Sequence, residues 1–298
     1  MSFPSLLRAV ATRPFVRIIG LLCLLLGLAG CSAIKLGYTT LPEVAYWWLD
    51  GFVDFDEGQR QPVREDIARV HAWHRAEELP RYVAVLQQVE RLAATDFTPA
   101  QACALEPSLR ERVSALLRGI EPYATAHALT LQPPQIQHIQ RKYEQRNRDY
   151  TKEWVRLGRS DLLEKREKEI VQRAEMVYGS LNDRQVAVLR DHLRASVFSP
   201  ATALKERQRR QQDTIAVLQR VSNQGVAIGD ARAAVRGLLD RYIASPEPGY
   251  RAYVDTLRLE TCRLIAALHD AATAEQRDTA VHRLRGWQRA FGELSSAG

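Results

Sequence analysis

The sequence lacks the features that identify most membrane-spanning, β-rich and familiar catalytic proteins. Its most apolar run covers residues 18–28, about eleven residues, whereas a membrane-spanning helix needs roughly 20. Glycine and proline are sparse, at 16 and 13 of 298 residues, and no Asn-Gly or Asp-Gly turn joins two alternating apolar runs, which disfavours β-hairpins. There is no phosphate-binding Gly-rich loop, no Gly-x-Ser-x-Gly elbow and no His-Glu-x-x-His zinc motif. The sequence therefore specifies no reaction, and we expect no cofactor.

The first thirty residues have the composition of a secretory signal. Three arginines precede the apolar run, no acidic residue occurs before Cys31, and small residues follow the run. The segment Leu28-Ala29-Gly30-Cys31 resembles the lipobox of bacterial lipoproteins. In that family the cysteine thiol accepts diacylglycerol, the chain is cut before the cysteine, and the new amino group is acylated. The alternative is an ordinary signal that ends at a cysteine by chance.

The lipobox resemblance implies a lipid anchor at Cys31 and a location in the bacterial cell envelope. Two or more acyl chains hold a protein stably on a bilayer, whereas one chain binds marginally. Ser32 follows the cysteine, and by resemblance to lipoprotein sorting rules the absence of aspartate there favours the outer membrane. We expect a mature protein that faces the periplasm and contacts the membrane through its N-terminal lipid.

The net charge gives little information about further partners. The formal charge of +7 includes the three arginines of the signal, so it falls to +4 when residues 1–30 are removed. Nucleic acid is not an expected partner outside the cytoplasm. A positive patch there would suit lipid headgroups, lipopolysaccharide or cell-wall acids, but a mild excess of positive charge also suits a solvated surface. No small-molecule ligand can be named.

Two cysteines, Cys103 and Cys262, remain beyond the proposed anchor. In an oxidising compartment they can pair, and a bridge over so long a loop stabilises by about 4–5 kcal/mol in the chain-entropy model. Two buried, unpaired thiols that pack as small apolar side chains are the alternative. The sequence leaves both states open.

Helix-start signals dominate the rest of the chain. A polar residue followed by glutamine three positions later is the pattern of a capping box, in which each side chain bonds to the other residue's backbone amide. We identify the pattern at Thr98…Gln101, Gln132…Gln135, Asn182…Gln185 and Thr273…Gln276. The spacing between these starts is not constant, which argues against a stacked repeat. The sequence predicts an all-α fold, a multi-helix bundle of long amphipathic helices after an N-terminal lipoprotein signal peptide.

The domain organisation follows from these signals. We expect a signal peptide over residues 1–30, a short tether over 31–40, and a single all-helical domain over 41–294, either as one unit or as two lobes that divide near residue 225. Proline at position 80 is expected to kink or restart a helix. The predicted helices cover residues 42–53, 62–79, 80–94, 107–129, 134–179 (bent or divided near 158–160), 183–197, 200–221, 230–244, 248–272 and 274–291.

Aromatic residues are concentrated just after the proposed anchor, between residues 38 and 55. Tyr46, Trp47 and Trp48 could lie at the bilayer interface, where tryptophan and tyrosine are favoured. Alternatively, the first helix docks its aromatic face into the core, which the neighbouring acids favour. We prefer the core interpretation.

Two polar groupings are candidate reactive sites. His71, His74 and Glu78 lie three and four positions apart, so a regular helix would present them on one side, where two imidazoles and a carboxylate could hold a metal. The alternative is that these side chains form a polar network around packed apolar residues. We expect no metal.

The second grouping consists of Asp50, Asp54 and Asp56, whose carboxylates could supply a general acid and base to a hydrolase. Helix capping or pairing with nearby arginines is the simpler role. A basic run over residues 140–159 also places Tyr143, Tyr150 and Trp154 among arginines, which suits acidic polymers or sugars, but its heptad spacing favours core packing.

Two family resemblances bear on function. The segments "LGYTTLPEVAYWWLDGFVDFDEGQ" and "WHRAEELPRY" resemble a family of Gram-negative lipoproteins of unknown function, which implies a helical lipoprotein and no particular reaction. The capping pattern also resembles the "LTxxQ" element of small helical periplasmic chaperones of the Spy type. We expect a non-catalytic binding, adaptor or structural lipoprotein, with an envelope protein as a candidate partner. The alternatives are a chaperone-like protein and, less favoured, an envelope hydrolase.

Overall fold

The computed structural model describes residues 34–296, and this part of the chain is all-α with no β-strand. The predicted fold class is therefore confirmed. The helices are α1 (residues 34–53), α2 (Glu57–Trp73), α3 (Leu79–Ala93), α4 (Pro99–Cys103), α5 (Glu106–Thr130), α6 (Pro133–Tyr150), α7 (Arg159–Tyr178), α8 (Asp183–Ala195), α9 (Pro200–Val221), α10 (Ile228–Ile243), α11 (Pro248–Asp270) and α12 (Ala274–Ser296). The signal segment and Cys31 lie outside the described residues. No helix between residues 34 and 296 combines the length and apolarity that crossing a bilayer requires.

The first two helices differ from the sequence-based expectation. The chain is already helical at residue 34, so most of the stretch expected to be a tether belongs to α1. Helix α2 begins at Glu57 instead of Pro62, because Asp56 and Gln59 form a capping box one turn earlier. Asp54, in the turn between these helices, has a φ of 60°, a left-handed conformation that aspartate tolerates better than most residues.

Proline 80 is accommodated by a π-helical turn over His74–Glu78, which joins α2 to α3. The amide of Leu79 bonds to the carbonyl of His74, five residues back, instead of following the α-helical pattern. A proline in a regular helix would clash with the carbonyl four residues before it and would lose a hydrogen bond. The α-helix therefore begins again at Leu79, and Pro80 lies in the first turn of α3, where proline is tolerated.

The long stretch predicted over residues 134–179 consists of two helices. Helix α6 passes into a second π-helical turn, Thr151–Val155, and the helical path then stops before Gly158. Gly158 is extended and precedes the first residue of α7. The break between α6 and α7 therefore falls close to the bend or division expected near residues 158–160.

The four predicted capping boxes form, and a fifth, Asp56–Gln59, was not predicted. Four of these five boxes in residues 34–296 are joined in pairs. Gln59 and Gln135 exchange hydrogen bonds through their side-chain amides, which connects the starts of α2 and α6. Gln276 donates to Gln185 at 2.8 Å, which connects the starts of α8 and α12. The reciprocal boxes are Asp56–Gln59, Thr98–Gln101, Gln132–Gln135, Asn182–Gln185 and Thr273–Gln276.

Cys103 and Cys262, whose pairing the sequence left open, are joined by a disulfide that links α4 to α11. Their Cα atoms are 5.4 Å apart, within the usual range for such a bridge. Phe97 and Ala266 pack in the same core cluster. The bridge spans 159 residues of sequence and therefore restricts most of the unfolded chain.

A core cluster spans the point near residue 225 at which two lobes could divide. Val217 and Val221 of α9 pack with Val235 and Leu238 of α10 and with Ala128 of α5. Residues on both sides of the α9–α10 loop therefore share one core.

Candidate functional site

A large apolar concavity is a cleft lined mainly by α1, α2 and α5, here called the apolar cleft. Its volume is about 700 Å³. Leu49 and Phe52 of α1, Ile67 of α2, and Ile120 and Ala124 of α5 are among the apolar side chains that line it. Pockets of roughly 300–1,000 Å³ with mostly apolar walls are typical small-molecule binding sites.

The apolar cleft is elongated along these helices. Its lining extends over residues 41–53 of α1, which span about 18 Å at a helical rise of 1.5 Å per residue. On α5 the lining extends from Leu116 to residue 128, a comparable length. Ile139 and Tyr143 of α6 contribute further lining, and burial raises the pKa of the Tyr143 hydroxyl to about 12. The shape suits an extended apolar molecule better than a compact one.

Two of the polar side chains in the apolar cleft, His71 and His74, are tied to Tyr38 of α1. The Tyr38 hydroxyl lies 2.9 Å from Nδ1 of His74, and Nε2 of His71 lies 3.0 Å from the Tyr38 carbonyl oxygen. Burial lowers the pKa of His74 and raises the pKa of Tyr38 to about 12, so at neutral pH both groups are uncharged. Nε2 of His71 donates to the Tyr38 carbonyl, whereas the tautomer of neutral His74 sets the direction of its hydrogen bond with the Tyr38 hydroxyl.

Asp66 and His127 form the second polar group of the apolar cleft. Nε2 of His127 lies 2.9 Å from Oδ2 of Asp66, close enough for an ion pair, but its orientation does not give hydrogen-bond geometry. No serine, threonine, cysteine or lysine side chain lines the cleft within the described part of the chain.

The candidate metal trio does not share one set of contacts. Glu78 is fully buried and accepts hydrogen bonds from Arg81 at 2.8 Å and Arg112 at 2.9 Å, whereas His71 and His74 contact Tyr38. The π-helical turn over His74–Glu78 takes more residues per turn than an α-helix and therefore changes the angle between Glu78 and His71. Between residues 34 and 296, no group of three His, Cys, Asp or Glu residues could hold a metal ion.

The predicted acidic trio serves the turn between α1 and α2. A carboxylate oxygen of Asp50 accepts the amide of Phe55 at 3.1 Å, and Asp56 caps α2. Asp50, Asp54 and Asp56 do not line the apolar cleft. The carboxylates proposed for a hydrolase are therefore separate from the site.

The aromatic residues after the proposed anchor differ in exposure. Tyr46 is 4% exposed and packs with Phe55 in a core cluster, with the Arg64 guanidinium 3.6 Å from its ring centre. Trp47 and Trp48 are 67% and 54% exposed. They belong to an exposed apolar surface on one side of α1, here called the α1 stripe, which consists of Leu36, Leu41, Val44, Trp47 and Trp48.

The aromatic residues of the basic run mainly pack inside the chain. Tyr150 lies under the guanidinium of Arg207 at 4.4 Å, and the Trp154 ring meets Phe198 edge to face. Tyr143 is the exception that reaches the apolar cleft. These contacts agree with the expectation of core packing and leave no aromatic platform along the run.

Sequence reasoning did not identify the apolar cleft. The signal was present, because Leu41, Ala45, Trp48 and Phe52 recur at helical spacing on α1. An amphipathic stripe does not reveal whether its apolar face is filled by a neighbour or left open. The relative placement of the lining helices decides this, and that placement depends on contacts between distant residues.

The model of a family of unknown function, DUF6279, matches residues 51–233. The match includes α2 and α5 and the last residues of α1, and therefore most of the apolar cleft. No curated protein and no solved structure matches the chain.

Proposed function

The chain belongs to this family of unknown function, and we propose that it is a lipid-anchored, non-catalytic binding protein of the bacterial cell envelope. The observation that carries the proposal is the apolar cleft between α1, α2 and α5. Open apolar surface of this kind costs free energy in water, about 25 cal/mol per Å², and an occupant would remove that cost. A ligand or partner with an apolar segment is therefore the natural occupant.

The envelope location rests on the N-terminal sequence. The lipobox-like segment ends at Cys31, and α1 is helical by residue 34, so only a few residues separate the proposed lipid from the folded body. The α1 stripe presents Trp47 and Trp48 close to this end of the chain, and tryptophan favours the bilayer interface. These features support an anchored body that lies against the outer membrane and faces the periplasm.

The non-catalytic part rests on the chemistry of the cleft. His71 and His74 are engaged by Tyr38, Asp66 faces His127, and no serine, threonine, cysteine or lysine side chain lines the cleft among the described residues. These polar groups form two separate sets of contacts within the chain, and the rest of the lining is mainly apolar. This composition supports the binding of an apolar group.

A chaperone-like function is the second candidate, because the same apolar cleft adjoins the exposed α1 stripe and together they could hold an apolar segment of an unfolded envelope protein. The resemblance to "LTxxQ" does not add to this candidate, since capping accounts for each glutamine. Suppression of aggregation of a denatured client by the full chain, at stoichiometric concentration, would favour it over the binding of small molecules.

Filling the cleft tests the proposed function. The Ala124→Phe substitution places a ring in the lining of the cleft, whereas Ala126→Phe places the same ring on the exposed side of α5. We expect the full chain and Ala126→Phe to bind a fluorescent apolar probe with equal affinity and Ala124→Phe to bind it at least about tenfold more weakly, a loss of roughly 1.4 kcal/mol. Equal binding by all three, with unchanged thermal unfolding, would contradict the proposal.

A further inference from the structure

Arg146 of α6 lies at the edge of the apolar cleft. Its guanidinium carbon is 4.5 Å from the ring centre of Phe52 and 6.0 Å from that of Trp48, and both rings line the cleft. The side chain is exposed, and no carboxylate in the described part of the chain forms an ion pair with it. A cation without a counter-charge thus borders an apolar cavity.

Two further basic side chains continue this edge along α6. His138, Lys142 and Arg146 are spaced four residues apart and therefore form one row on the helix, here called the α6 basic row. The row lies directly beside Ile139 and Tyr143, which line the cleft. Nε2 of His138 is 3.4 Å from the Gly51 carbonyl at the end of α1, so the row reaches the same end of the cleft as Phe52.

Two of the acids near this end accept backbone amides: Asp50 accepts the amide of Phe55, and Asp56 caps α2. Neither Lys142 nor Arg146 forms an ion pair within residues 34–296. These two side chains of the α6 basic row are therefore cations without a paired carboxylate in the described part of the chain.

We propose that the apolar cleft holds the single hydrocarbon chain of a fatty acid whose carboxylate lies against the α6 basic row. This inference rests on the proposed function of the cleft as a binding site. The length of about 18 Å along α1 resembles that of an extended long-chain acyl group, and the volume suits one chain but not the two chains of a diacyl lipid. Arginine binds carboxylates through paired hydrogen bonds, which fixes the orientation of the ligand.

Photolabelling of the full chain in nanodiscs of neutral lipid tests separately whether the cleft binds a hydrocarbon chain and whether it prefers a carboxylate head group. The probes are photoactivatable hexadecanoic acid and photoactivatable hexadecanol, and mass spectrometry maps the labelled residues. We expect both probes to label the cleft, the acid about fivefold more efficiently, which corresponds to an exposed ion pair of about 1 kcal/mol. Arg146→Gln should remove this preference, Arg146→Lys should keep part of it, and Arg148→Gln, on the opposite side of α6, should leave it unchanged.

The outcomes separate this inference from the proposed function. Equal labelling of the cleft by acid and alcohol, unaffected by Arg146→Gln, would overturn the fatty acid and leave an apolar binding site. Absence of cleft labelling by either probe would overturn both. Displacement of both probes by an apolar helical peptide would identify a protein segment as the occupant and overturn the fatty acid. Protection of the cleft from labelling only in nanodiscs that hold two copies of the chain would identify a second copy as the occupant and would also overturn the fatty acid.

Discussion

Gln185 and Gln276 hydrogen-bond to each other at 2.8 Å, although 91 residues separate them in the sequence. Each is the glutamine of a capping box, so each already bonds to the backbone of its own helix start. The Asn182 side-chain amide also donates to the side-chain oxygen Oε1 of Gln276 at 2.9 Å. The Gln185 side-chain amide donates to the backbone carbonyl of Leu268. Two local motifs thereby form one buried polar junction between α8, α11 and α12.

Removing this junction should destabilise the fold. Gln185 is fully buried, so Gln185→Leu leaves its former partners without hydrogen bonds, at a cost of about 1–3 kcal/mol. Gln219→Leu, on the exposed side of α9, should change the free energy of unfolding by less than about 0.5 kcal/mol. Urea unfolding monitored by circular dichroism measures both. Equal stability of the two variants would show that the junction contributes nothing.

Close packing of α2 against α5 gives a second prediction. A Cβ added at Gly119 would lie 2.6 Å from the Trp73 ring, so Gly119→Ala forces the ring to move. We expect a loss of about 1–3 kcal/mol and an altered tryptophan emission spectrum. Gly292→Ala in α12 has open space around the new methyl group and should be neutral or stabilising by up to about 1 kcal/mol. A stabilised Gly119→Ala variant would mean that the helices are farther apart.

Stability should depend on pH through His269, which has no exposed surface. Its Nδ1 lies 3.1 Å from the Tyr178 hydroxyl and its Nε2 lies 3.0 Å from the Thr95 carbonyl. Burial, and then the nearby charge of Arg277, lower its pKa in the folded state. The unfolded chain therefore takes up the proton more readily, near pH 6.5.

The sign of the pH effect follows from that difference. The contribution of His269 is fully present above about pH 6.5 and is lost as the pH falls below this value, so the free energy of unfolding should decrease between about pH 7 and 5. His74, whose pKa is also lowered by burial, acts in the same direction. His269→Gln should flatten the decrease, whereas His282→Gln, at an exposed position, should leave it unchanged. A steeper decrease in His269→Gln would refute this assignment.

The lipid anchor is tested by processing and partitioning. An inhibitor of lipoprotein signal cleavage should cause a slower-migrating precursor to accumulate, and mass spectrometry of the mature N-terminus should show Cys31 with its acyl groups. Mature protein should enter the detergent phase of a cloud-point extraction, because several acyl chains bind stably to apolar phases. Cys31→Ser should abolish both results. Wild-type protein that stays in the aqueous phase with an intact Met1 would exclude the anchor.

Local patterns in the sequence predicted local structure well. The glutamines at positions 101, 135, 185 and 276 complete capping boxes because a capping box involves only four consecutive residues. The start of α2 was placed too late because Pro62 suits the first turn of a helix, while the capping box at Asp56 and Gln59 begins the helix earlier. Nothing local indicates that Gln185 meets Gln276.

The candidate sites were harder to predict because they depend on helix geometry and on distant contacts. The expected spacing of His71, His74 and Glu78 assumes a regular α-helix, and the π-helical turn that accommodates Pro80 changes that spacing. The apolar cleft requires α1, α2 and α5 to lie at a distance that leaves space between apolar faces. Amphipathic spacing predicts these faces but not the space.

Native mass spectrometry of the full chain, extracted gently from its own membrane, tests the central claim most directly. We expect a second series of ions whose added mass corresponds to one non-covalently bound amphiphile. That series should be present for the wild type and for Ala126→Phe and should be absent for Ala124→Phe, which fills the cleft. A bare protein mass in all three samples, or an adduct that Ala124→Phe retains, would contradict the assignment of the apolar cleft as a binding site.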